Sequence, residues 1–177
     1  MTNSTKKIQL MIINALLLAL AIIIPLIFPK IYIPPFSATL ASHLPVMVAM
    51  FINPISAVFV SIGSAVGFFF AFPGNMIIAA RALTHLVFAF VGSYLIKKKV
   101  NIFLIIILTA ILHALFEMMI VMIPPFNFDF IESALWVGVG TLAHHFVDAI
   151  ITYPVILTLR KANIINFSIN TKKIILK

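Results

Sequence analysis

"SATLASHLPVMVAMFINPISAVFVSIGSAVGFFFAF", Ser37 to Phe72, is either one helix or two, and the choice sets the architecture of the chain. As one helix it would be roughly 54 Å long at 1.5 Å per residue, far beyond the about 30 Å hydrocarbon core of a bilayer. Asn53 and Pro54 interrupt it, because the residue before a proline is driven out of the helical region. The stretch therefore reads as a tight hairpin of two spans, Ser37–Ile52 and Ile55–Phe72.

The rest of the chain is of the same kind. Of 177 residues, 63% are hydrophobic and 9% charged, and the mean hydropathy is +1.23, more apolar surface than a soluble domain of this size can hide. Four further apolar blocks run over Ile8–Phe28, Met76–Ile96, Asn101–Ile123 and Ser133–Leu159. The expectation is an all-α integral membrane protein, one transmembrane domain over residues 1–177 with six helices.

Basic residues near helix ends concentrate on the cytoplasmic side. With six spans, Lys6, Lys7, Lys97, Lys98, Lys99, Arg160, Lys161, Lys172, Lys173 and Lys177 share one face, ten of the twelve basic residues. Lys30, Asp129 and Glu132 fall on the other face, and both termini are expected in the cytoplasm. Topology thus accounts for nearly all of the net charge of +8, which leaves no reason to invoke nucleic acid. The first block follows a basic stretch, as a signal peptide would, but it is long and lacks a small-residue cleavage pattern, so a retained helix is expected. The chain contains no cysteine, which excludes disulfides and thiolate metal sites.

Function then rests on the few polar residues inside the spans, which are costly there unless paired or facing a cavity. Arg81 and His85 stand at i and i+4 on the fourth span, as do His113 and Glu117 on the fifth, so each pair shares a helix face. The sixth carries His144, His145 and Asp148 in a stripe with Ala134, Gly138, Thr141 and Thr152, and His43 adds a polar group to the second. Arg81 and Glu117 both lie about 8 Å below the outer end of their helices, near Trp136. The expectation is a cavity open to the outside, with His85, His113 and His145 deeper; the competing expectation is a register-setting Arg81–Glu117 ion pair.

Small residues four apart let helix backbones approach closely where lipid offers no hydrophobic drive to associate. Ala15 and Ala19 in "NALLLALA" and Gly63 and Gly67 in "GSAVG" are two such pairs, suited equally to internal packing or to a partner helix.

A small six-helix protein with Ala-x-x-x-Ala in its first helix and no ATPase domain resembles the S components, the substrate-binding membrane subunits of energy-coupling-factor (ECF) vitamin transporters. The stretches "TLASHLPVMVAMFINP" (Thr39–Pro54) and "RALTHLVFA" (Arg81–Ala89) look like the niacin-specific, NiaX-like subgroup. The resemblance implies a multi-pass protein of a bacterial cell membrane without catalytic activity or cofactor. It would capture a vitamin outside and deliver it with a transmembrane coupling subunit and two ATPase subunits, meeting the coupling subunit through Ala15 and Ala19. "PKIYIPPFS", Pro29–Ser37, would be the lid. For nicotinate, Arg81 would take the carboxylate in a bidentate contact. A histidine or Asn75 would take the pyridine nitrogen, Tyr32, Phe72 or Trp136 would cover the ring, and Glu117 would orient Arg81 or a histidine.

Three other readings remain open in the sequence. His-x-x-x-Glu and His-x-x-x-Asp suit an intramembrane zinc or iron centre, even a hydrolase, although no His-Glu-x-x-His pattern is present. An S component for another vitamin remains compatible, whereas one for nickel or cobalt would need a Met-His start that "MTNSTKK" lacks. The third is a freestanding secondary transporter.

Overall fold

The computed structural model describes residues 3–162; Lys172, Lys173 and Lys177 of the basic face lie outside the described residues. Helix α1 (Asn3–Ile27) leads into an antiparallel hairpin of β1 (Lys30–Ile33) and β2 (Phe36–Thr39), with Lys30 opposite Thr39 and Ile33 opposite Phe36. Then follow α2 (Leu44–Met50), α3 (Pro54–Ala71), α4 (Met76–Leu83), α5 (His85–Lys97) and α6 (Ile102–Met122). The last crossing is built from a short turn α7 (Phe130–Glu132), a π-helical segment over Ser133–Gly138 and α8 (Val139–Lys161).

Among the described residues, five helical stretches are long and apolar enough to cross a membrane: Asn3–Ile27, Pro54–Ala71, Met76–Lys97, Ile102–Met122 and Phe130–Lys161. The second expected span differs. Its first residues pair as β2, and only seven residues, Leu44–Met50, are helical. Even so, it runs between the two ends of the bundle. Tyr32 on the hairpin lines a cleft with Asn75, Pro125 and Phe126, whereas Met50 and Phe51 line another with Ile102 and Ile156, next to the basic loop Lys97–Lys99. Non-helical backbone is tolerated at membrane depth only when enclosed by protein. Ala41, Ser42, His43 and every residue from Pro45 to Phe51 are buried. An even number of passes is therefore kept, with a strand, a turn and a short helix replacing one long helix.

The Asn53–Pro54 signal has a specific chemistry. The Asn53 side chain accepts the Ser56 N–H at 2.9 Å and caps α3, with Pro54 in the first turn where its missing N–H costs nothing. The fourth span is one crossing interrupted at Thr84, whose N–H and hydroxyl both turn back to the Arg81 carbonyl, at 2.9 and 2.7 Å. Such back-bonding bends helices.

The two small-residue pairs have opposite uses. A Cβ on Gly67 would lie 2.7 Å from the carbonyl oxygens of Ala21 and Ile22, and one on Gly63 would meet Leu18, so this pair seats α3 directly on the backbone of α1. Leu17, Ala21, Ile24 and Pro25 are the buried residues of α1. Ala15 and Ala19 are exposed and take no part in it.

Candidate functional site

Beneath the hairpin, α4, α5, α6, α8 and the turn before α2 each send polar side chains to one buried cluster. Arg81 of α4 is 2% exposed, and all its terminal donors are directed. Nη1 donates to the Pro35 carbonyl at 2.9 Å and to Ser37 Oγ at 3.1 Å; Nη2 donates to the Ser37 carbonyl at 3.3 Å and to Glu117 Oε2 at 2.7 Å. Thr141 of α8 also donates its hydroxyl to Glu117 Oε2. The other oxygen, Oε1, lies 3.3 Å from His113 Nε2 and 3.9 Å from His85 Nε2. A guanidinium held by two carbonyls, a hydroxyl and a carboxylate is rigidly oriented and charge-compensated.

A second carboxylate organises the turn between β2 and α2. Asp148, fully buried on α8, accepts the Ala41 N–H through Oδ1 at 2.8 Å and the His43 N–H through Oδ2 at 2.9 Å. Ala41 adopts φ +62°, a left-handed conformation that costs a residue with a Cβ about 1–2 kcal/mol, and its bond to Asp148 helps to hold it there. His144, one turn before Asp148, lies 3.6 Å from the carboxylate and 3.2 Å from Ser42 Oγ.

The remaining histidines meet between these two carboxylates. His43 Nε2 and His85 Nε2 are 3.2 Å apart, as are His113 Nδ1 and His145 Nδ1. The Phe88 ring, fully buried on α5, packs against His43, His85, His113 and His145 with centroids 4.8–5.7 Å away.

Arg81, His85, Glu117, His113 and His145, expected from the sequence to converge, do so. The expected cavity open to the outside is closed instead, because Pro35 and Ser37 of the hairpin sit on the arginine. Three expected residues lie elsewhere. Trp136 is 48% exposed on the π-helical segment and is not among the buried residues of the cluster. Tyr32 is 49% exposed and accepts from Asn75 Nδ2 at 2.6 Å, so this pair latches the hairpin to the start of α4 at the outer rim, with Phe72 6.0 Å from the Tyr32 ring. Ser37 and Thr141 were missed as partners, as were Ser64, whose Oγ is 3.0 Å from His85 Nδ1, and Thr109, whose Oγ1 is 3.2 Å from His145 Nε2. Thr141 lay on the polar stripe of the sixth span, but no local signal marks a hairpin serine as an arginine ligand.

Among known proteins, the chain is 38% identical over 164 residues to "Niacin transporter NiaX" of Lactococcus lactis subsp. cremoris (strain MG1363), across 84% of this chain and 73% of the relative. This chain belongs to the NiaX family. It is thus a multi-pass membrane protein of the S-component type, as the resemblance implied, and membership in a transporter family disfavours the hydrolase reading of the histidine–carboxylate pairs. No family model and no solved structure matches the chain.

Proposed function

We propose that this chain captures niacin as nicotinate on the outside of the membrane and passes it inward as the substrate subunit of an ATP-driven ECF importer. The observation that carries this is the match to the niacin transporter NiaX. Arg81 is the group whose chemistry fits an aromatic carboxylate, since its planar fork pairs with such an anion through two parallel bonds. The hairpin carbonyls occupy that fork in the closed arrangement, so an arriving carboxylate exchanges with Pro35 and Ser37 for the same donors. Glu117 repels the anion and serves by fixing Arg81 from the opposite side. The imidazoles below, His85 first, are the partners within reach for a pyridine nitrogen, while Asn75 and Tyr32 act at the rim.

Calorimetric titration of the purified protein with nicotinate and nicotinamide tests this reading. A charged hydrogen-bond pair contributes about 1.5–3 kcal/mol, so nicotinate is expected to bind about tenfold or more tighter. Equal affinities would remove Arg81 from the recognition of the carboxylate. Absence of binding by a cooperatively folded protein would end the niacin assignment.

Ala15 and Ala19 fit a partner helix, because they are exposed on α1 while the Gly63–Gly67 pair uses the other face. The proposed partner is the transmembrane coupling subunit that joins the chain to two ATPases. Ala15→Trp and Ala19→Trp are expected to abolish nicotinate uptake in cells with the complete importer, yet leave nicotinate binding to the purified chain intact. Uptake at the wild-type rate would exclude this face as the contact.

A further inference from the structure

The ring nitrogens of His113 and His145 that face each other can share a hydrogen only if His113 turns a bare Nε2 to the Glu117 carboxylate. The Thr109 hydroxyl donates within α6 to the Ile105 carbonyl at 2.8 Å, so towards His145 Nε2, at 3.2 Å, it acts as an acceptor. His145 therefore carries its hydrogen on Nε2, and Nδ1 is a lone pair. His113 turns Nε2 to the Glu117 carboxylate at 3.3 Å without the alignment of a hydrogen bond, but the adjacent negative charge favours the hydrogen on Nε2 over a bare lone pair there, which leaves Nδ1 as a second lone pair. These two Nδ1 atoms are 3.2 Å apart at buried positions. Two lone pairs at that distance repel unless a cation lies beside them.

His43 likewise turns Nδ1 to a carboxylate, 3.0 Å from Asp148 Oδ2, and Nε2 inward, where His85 Nε2 stands 3.2 Å away. Neither His43 Nδ1 nor His113 Nε2 is aligned for a hydrogen bond with its carboxylate at present, and both are buried atoms without another partner. An outward nitrogen turned to a carboxylate or hydroxyl, with the other nitrogen pointing inward, is how ligating histidines are oriented in metal sites. The spacing of the His113–His145 pair fits as well. Two imidazole nitrogens at 2.0–2.1 Å from a tetrahedral ion are separated by about 3.3 Å. One ring nitrogen from each of His43, His113 and His145 lies within 4.8 Å of the other two.

We propose that His43, His113 and His145 bind a divalent transition ion of the zinc class at the base of the site. Asp148, Glu117 and Thr109 orient the three rings, and the two carboxylates offset the ion's charge in a region without water to do so. Three imidazoles suit zinc, copper or nickel rather than magnesium or calcium, and they leave the fourth tetrahedral position free for an exchangeable donor. Sequence spacing pointed away from this site because it pairs residues along one helix, whereas these ligands come from the α2 turn, α6 and α8.

The test uses the full chain in detergent, purified without immobilised-metal chromatography. Elemental analysis is expected to find about one transition-metal equivalent per chain. After chelator treatment, titration with Co2+ is expected to give the visible bands of four-coordinate cobalt. His113→Ala and His145→Ala should lose those bands, and Asp148→Asn should weaken Co2+ binding by about ten- to a hundredfold. A wild-type chain that melts cooperatively but holds no stoichiometric metal and gives no cobalt bands overturns the proposal and makes a proton the cation between the rings. None of these readouts depends on niacin, so failure of the vitamin assignment would leave the metal result standing.

Discussion

Arg81→Ala is expected to abolish measurable nicotinate binding and to destabilise the protein by about 3–5 kcal/mol, the cost of leaving one member of a buried ion pair alone. The size of the effect follows from what one guanidinium does here. It neutralises Glu117 at 2.7 Å, donates to Ser37 Oγ, and satisfies the carbonyls of Pro35 and Ser37. Its removal strands a buried carboxylate and loosens the hairpin as well as deleting the anion-binding fork. Stability and recognition can be separated with Arg81→Met combined with Glu117→Gln, which removes both charges together. The double variant should recover most of the lost thermal stability and still fail to bind nicotinate. Arg81→Lys keeps the charge but not the planar fork, and should bind nicotinate more weakly than wild type. Calorimetry beside thermal unfolding in detergent decides: a folded double variant with wild-type nicotinate affinity would reduce Arg81 to a structural ion pair.

Much of this was legible because polar residues in apolar helices are few. The i, i+4 spacing of Arg81 with His85 and of His113 with Glu117 put each pair on one inward face, and the Arg81–Glu117 ion pair was weighed from depth alone. Trp136, one of three aromatic candidates for covering the ring, is exposed instead of turned inward: depth fixes a level and not a direction, and it lies in a π-helical segment. The second span keeps its place as a crossing but differs in build, for another reason. Ser37–Ile52 has the length and polarity of a crossing, but hydropathy cannot distinguish a long helix from a strand and short helix enclosed by other helices. What permits the latter is a pair of backbone hydrogen bonds to a side chain more than a hundred residues away.

That side chain is Asp148, and Asp148→Ala is expected to cost about 2–6 kcal/mol, since it leaves two buried N–H groups unpaired at about 1–3 kcal/mol each. Elsewhere in the bundle a helix supplies its own backbone partners. Between Leu40 and Leu44 the chain is neither strand nor helix, and the two donors, on Ala41 and His43, point into α8 at a depth where no solvent can replace the carboxylate. Ala41 must also stay left-handed, so loss of the anchor removes the reason for that conformation as well. Asp148→Asn retains one oxygen acceptor and turns an NH2 towards a donor, and should lie between wild type and alanine. The hairpin hangs from this turn and closes over Arg81, so the damage should spread to the site: amide exchange at Ala41 and His43 should accelerate together with that of β2, before α6 or the remainder of α8 opens. Unchanged protection of those two amides in a folded Asp148→Ala protein would mean that packing of the buried α2 residues, and not the aspartate, holds the irregular crossing in place.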